Sequence, residues 1–265
     1  MKASMKSLVL GVALALGSGS AAAITVGGVT WNPDSIFDFT ATDTMIELGA
    51  VAVGDTLDGY AKILSVNNTI ESVYCASGCE LTYVFGGYTI TSIDVATNTL
   101  VFGGGFINVY VDSTPNYDGT LQSTAADGVL FLSLAGALQY DQATGLLGTL
   151  FSDPVPASTG VAGDGRGFLD VTGGLAAAYF DTNTFAVDAD GDGTLGDAFA
   201  DFQFTSSFQL LPNGATFTSD NGVTYNLFGS NDIQGNTAVP EPGSLALLGI
   251  GLAGLGMSFR RRKSA

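Results

Sequence analysis

The chain has 265 residues, with 25 Asp plus Glu against 8 Lys plus Arg, no His and 2 Cys. Its net charge of −17 repels nucleic acid, which excludes nucleic-acid binding, and attracts divalent cations. Without His, Ser–His–Asp and Cys–His catalysis are gone, and two cysteines alone leave a zinc site short of soft ligands.

Met1–Ala23 carries Lys2 and Lys6, an apolar run from Leu8 to Leu16, and Ala21 and Ala23 at the −3 and −1 positions of a cut before Ile24. This is the pattern of a secretory signal peptide, and its apolar run is too short to span a bilayer. Residues 24–237 are then the working body. Outside the two end segments the only cations are Lys62 and Arg166, whereas 24 of the acids remain, a net charge of −22. Of these acids 21 are Asp, and only Glu47, Glu71 and Glu80 are Glu. Asp bonds nearby backbone N–H groups and favours turns, whereas Glu favours helices.

Strand candidates follow one another along the body. Ile24–Trp31 is turned by Asn32-Pro33-Asp34, and Ile36–Phe39 and Tyr60–Val66 come next. Leu81, Tyr83 and Phe85 alternate with smaller or polar residues, and Tyr88–Val95 follows Gly86-Gly87. In Phe106–Asp112, Ile107, Val109 and Val111 face one way and Asn108, Tyr110 and Asp112 the other, a strict period of two. Val129–Leu134, Leu146–Phe151, Phe168–Val171, Phe199–Phe204 and Phe208–Leu211 are each bounded by Gly, Asp, Asn or Pro. Ala215–Thr218 and Val223–Phe228 flank Asp220-Asn221-Gly222, a hairpin signal. Leu134–Gln142 has some helical look, and Gly229–Thr237 reads as a flexible stalk. The expectation is an all-β single domain, a β-sandwich or jelly roll.

Two motifs in the body point to chemistry. Cys75 and Cys79 enclose three residues, and in an exported chain the expectation is a local disulfide pinning a tight turn. Asp188, Asp190 and Asp192 stand at positions 1, 3 and 5 of a loop with Gly193 at 6 and the Thr194 carbonyl at 7, the spacing with which an EF-hand-type loop folds around calcium. Position 12 is Phe199 where that loop needs Glu, so Asp197 or Asp201 would close the shell. An acidic surface turn is the alternative reading. Gly-x-Ser-x-Gly is absent, and nothing singles out two carboxylates as a hydrolytic pair, so no enzyme is expected.

The C-terminal segment, residues 238–265, has three parts in order. Val239-Pro240-Glu241-Pro242 is a proline-fixed motif; Gly243–Phe259 is an uncharged span; Arg260, Arg261, Arg262 and Lys263 form a basic stop. As a helix the span would rise about 25 Å, close to a bilayer core of roughly 30 Å, with the cations left on the cytoplasmic side. On these residues the segment resembles the PEP-CTERM sorting signal of Gram-negative bacteria. The resemblance implies a transmembrane sorting helix, an inner-membrane-anchored precursor, processing by an exosortase, and delivery to the cell surface or extracellular matrix. It also implies association with exopolysaccharide, and Glu80–Asp112 resembles PEP-CTERM proteins associated with flocculation. The expected function is therefore structural or adhesive, in a matrix or in cell aggregation. A carbohydrate-binding module, marked by an exposed aromatic strip, is the alternative, and a secreted glycan hydrolase, marked by two convergent carboxylates in a cleft, is a third.

Overall fold

A strand wet on one face buries every second residue, and Phe106–Asp112 does so: Ile107, Val109 and Val111 are buried, while Asn108, Tyr110 and Asp112 are half-buried. A computed structural model describes residues 23–33, 36–153 and 162–238, with only the backbone at residue 43. The signal peptide up to Ala22, Val239–Pro242, the apolar span and the Arg260–Lys263 stop lie outside the described residues.

β1 (Ile24–Val26) and β2 (Val29–Trp31) form a hairpin. The main sheet starts with β3 (Phe37–Leu48) and β4 (Thr56–Lys62); short β5 (Ser65–Val66) and β6 (Thr69–Ile70) hang from β3 and lead into a helical turn, Glu71–Tyr74. The long hairpin of β7 (Glu80–Asp94) and β8 (Thr99–Asp112) follows. Then come β9 (Val129–Ala137), the pair β10 (Gln139–Asp141) and β11 (Leu146–Gly148), β12 (Leu150–Asp153) and β13 (Ala162–Gly173). The remainder is β14 (Phe185–Val187), β15 (Ala198–Ala200), β16 (Phe202–Leu210), the pair β17 (Phe217–Thr218) and β18 (Thr224–Tyr225), and β19 (Leu227–Gly235).

The main sheet closes on itself. β3 pairs with β4, β4 with β7, β7 with β8, β13 with β16, and β16 with β19, all antiparallel. β19 then returns to β3, with Gly235 opposite Phe37 and Leu227 opposite Glu47. Between β8 and β13 one position of the wall is shared end to end. β12 fills one half, with Leu150 between Phe102 and Gly167, and β9 fills the other, with Leu134 between Ile107 and Val171. The product is an all-β single domain, a closed, sandwich-like barrel, as its alternating strands and turn-rich composition lead one to expect.

Two local expectations are corrected. Leu134–Gln142 is not helical but continues β9 and opens β10. Its small residues serve close approach: a Cβ at Gly136 would clash with the Gly104 carbonyl and stand 2.8 Å from Thr149 Cβ. Gly229–Thr237 is not a stalk, because Leu227–Gly235 is the strand that closes the barrel. Gly229, Asn231, Ile233 and Gly235 are its buried face, alternating with half-buried Ser230, Asp232 and Gln234. A side chain at Gly229 would collide with the Ser207 carbonyl, so glycine here permits tight strand packing.

The core fills the barrel and one end of it. Phe37 and Phe39 meet at 4.3 Å between ring centroids, and the β1–β2 hairpin delivers Trp31 onto Phe180, stacked at 5.3 Å, and edge-on to Phe37. Burying a ring of this size stabilises by about 2–3 kcal/mol. A smaller cluster of Tyr60, Ala125 and Tyr225 lies under the β17–β18 hairpin, and another of Ala137, Val187 and Ala200 lies under β14–β15.

Candidate metal centre

The acidic loop is carried by the β14–β15 hairpin, in which Phe185 pairs with Ala200 and Val187 with Ala198. The hairpin sits on Ala137 and Phe168, with the Phe168 and Phe185 rings 5.9 Å apart. Backbone bonds hold the loop at both ends: Tyr140 N donates to the Asp188 carbonyl at 2.7 Å, and Gly196 N to the Val187 carbonyl at 3.1 Å. The φ of +82° at Gly191 and +86° at Gly193 is a left-handed conformation that side chains with a Cβ rarely adopt.

These constraints bring three of the expected ligands together. One carboxylate oxygen from each of Asp188, Asp190 and Asp197 lies within 4.8 Å of the others. Asp188 is buried and organises the turn: its Oδ1 accepts from Gly191 N at 2.6 Å and its Oδ2 from Gly193 N at 2.9 Å. Asp197 accepts from Ala189 N with both oxygens, at 3.0 and 3.1 Å, which ties the two ends of the loop. Asp190 Oδ1 accepts from Asp192 N at 3.0 Å.

Asp192 is not one of this trio; its Oδ1 accepts from Thr194 N at 2.7 Å. Asp201, the other candidate to close the shell, is buried elsewhere. Its carboxylate accepts from Val171 N at 2.8 Å and from Thr182 N and Asn183 N at 2.6 Å each, which locks β13 to the loop before β14. The trio is a carboxylate cluster with free lone pairs on an exposed loop, chemically suited to a hard divalent cation that takes oxygen ligands.

Cys75 and Cys79 are joined as a disulfide, both buried, at the end of the Glu71–Tyr74 turn. Gly78, with φ of +84°, closes the small ring by donating to the Cys75 carbonyl at 2.8 Å. This pins the chain where it enters β7.

Other polar groups have no counterpart in the motifs read from sequence. Lys62 bridges Glu71 at 2.8 Å and buried Glu80 at 2.9 Å, and Arg166 pairs with Asp153 and, at 3.1 Å, with Asp141. Both cations of the body are therefore engaged by two acids each. On the outer face of the β3–β19 seam, burial and a hydrogen bond with Asp38 push Asp232 up to about 6. Inside the barrel, burial alone pushes the Glu47 carboxyl up to about 8. The signal for Glu47 was its phase: it shares the inward alternation of Met45 in a segment that otherwise buries apolar residues.

The described chain ends against the body, with Ala238 N donating to the Tyr179 carbonyl at 2.7 Å. No curated protein and no solved structure matches the chain. Residues 238–263 match the PEP-CTERM protein-sorting motif, which covers Val239–Pro242, the apolar span and the basic stop. On that match the chain carries a PEP-CTERM sorting signal and is an exported, membrane-anchored precursor targeted to exosortase.

Proposed function

We propose that the barrel is a non-enzymatic, calcium-binding component of the cell surface or extracellular matrix, delivered by exosortase and structural or adhesive in exopolysaccharide or in cell aggregation. The observation that carries this reading is the sorting motif placed directly behind an acid-rich barrel whose two cations are already paired. Such a surface gathers divalent cations and stays clear of anionic ones. The Asp188–Asp190–Asp197 trio supplies a defined place for calcium within that diffuse charge.

No observation favours the two alternatives. Among the described residues the exposed aromatics are Phe106 on β8 and Phe199 on β15, which do not form a row. Asp38 and Asp232 are within hydrogen-bonding reach of each other. Hydrolase carboxyls stand roughly 5–9.5 Å apart.

The test is Glu241→Ala in the native host, with fractionation and an aggregation assay. The variant is expected to accumulate as membrane-bound precursor and to weaken aggregation. Normal release of the variant would refute the sorting role, and normal aggregation without released protein would refute the adhesive one.

A further inference from the structure

The barrel interior holds polar side chains with nothing to bond. Asn231 on β19 is buried, and neither its Oδ1 nor its Nδ2 has a partner. Tyr83 on β7 and Ser152 on β12 are buried with unpartnered hydroxyls. Glu47 on β3 is 4% exposed, and its perturbation comes from burial alone. Buried polar groups in folded proteins are almost always bonded to protein or to ordered water. Three strands that each aim an unsatisfied group inward, beside a buried carboxyl on a fourth, therefore form an unfinished network.

Two small cavities lie among these groups. One, of about 20 Å³, is lined by Glu47, Asn231, Tyr83 and Ser206 together with aromatic rings. The other, also of about 20 Å³, is lined by Glu47, Ser152 and Ser206. Glu47 and Ser206 belong to both, so the cavities are neighbours. A water needs roughly 10–15 Å³ of such volume and two to four polar partners. Each cavity meets both conditions for about one molecule. Neither has room for an organic ligand, and no Lys or Arg lines either one.

We propose that the barrel contains two fixed internal water sites, one bridging Glu47 to Asn231 and Tyr83, the other bridging Glu47 to Ser152 and Ser206. Glu47 is the hinge of the pair, with one carboxyl oxygen for each water. The neutral carboxyl suits this role, because it donates to one water and accepts from the other. The waters tie β3 to β19 and β7 on one side and to β12 and β16 on the other, so polar bonds cross the barrel where its walls would otherwise touch only through apolar contacts.

The experiment is a crystal structure of the full chain in detergent at a resolution that shows ordered water, with unfolding of Asn231→Leu alongside. Two density peaks are expected, each with three polar neighbours at roughly 2.7–3.2 Å. Dry cavities, or a peak with ion-like contacts of about 2.3–2.6 Å, would overturn the proposal. Asn231→Leu should lose the first water and unfold at lower denaturant than the parent. A variant that unfolds later would mean that Asn231 was an orphan in a dry core, and would also overturn it. If the variant does not fold, the parent structure decides alone.

Discussion

Glu47→Gln isolates the cost of an unpaired carboxyl in the barrel. Burial raises the Glu47 carboxyl from 4.5 to about 8. The folded state therefore holds this proton over a range in which the unfolded chain releases it, so stability falls as pH rises. The contribution is fully present below pH 4.5, declines by about 1.4 kcal/mol per unit above it, and levels off above about 8. Over the whole window that amounts to about 5 kcal/mol, and to about 3 kcal/mol at pH 7. A single domain has only about 5–15 kcal/mol in total. Gln has the shape of the protonated acid and titrates nowhere in this range. The variant should match the parent near pH 4, exceed it by about 3 kcal/mol at pH 7, and exceed it further at pH 9. Urea unfolding of both proteins from pH 4 to 9 measures this, because the difference between them cancels every other titrating group. A difference that stays flat from pH 5 to 8 would refute the reasoning and show that Glu47 reaches a cation or bulk solvent.

Three further outcomes are expected. Millimolar calcium should raise the thermal midpoint of the parent, by about 2.7 kcal/mol of stability when free calcium is a hundred times Kd. Asp190→Ala should lose most of that shift, and equal shifts in both would reduce the trio to an acidic turn. Alkylation without reductant should label neither Cys75 nor Cys79, and quantitative labelling of both would contradict the disulfide. Asp232→Asn should remove a loss of stability on going from pH 4 to above 6, because the raised carboxyl of Asp232 favours the protonated folded state at low pH. An unchanged pH profile would mean that the fold does not raise the Asp232 carboxyl.

The strands were legible because each carries its own evidence. Ile107, Val109 and Val111 announce a buried face without reference to any partner. Closure was not legible, because it depends on Phe37 meeting Gly235, a pairing between the two ends of the body. Gly229 and Gly235 misled for the same reason: glycine in a chain of Ser, Asn and Gln resembles a linker until the crowding by Ser207 and Phe202 is known. The acidic loop was half legible. Spacing identified Asp188 and Asp190, but which further carboxylate converges follows from the hairpin, which folds Asp197 back onto Ala189 while Asp192 accepts from Thr194 N. Glu47 could be suspected from its phase next to Met45, but its isolation needs Asn231 and Tyr83, which come from distant parts of the chain.

The absence of a stalk before Ala238 bears on how much of the C-terminal segment the fold can lose. Gly235 ends the closing strand, and only Asn236, Thr237 and Ala238 separate it from Val239. Fully extended, the four steps from Gly235 to Val239 reach about 14 Å. The sorting motif therefore begins within about 14 Å of the closing strand of a body whose net charge is −22. Trimming past Ala238 has little margin, because each residue lost upstream of Gly235 would unpair both β3 and β16.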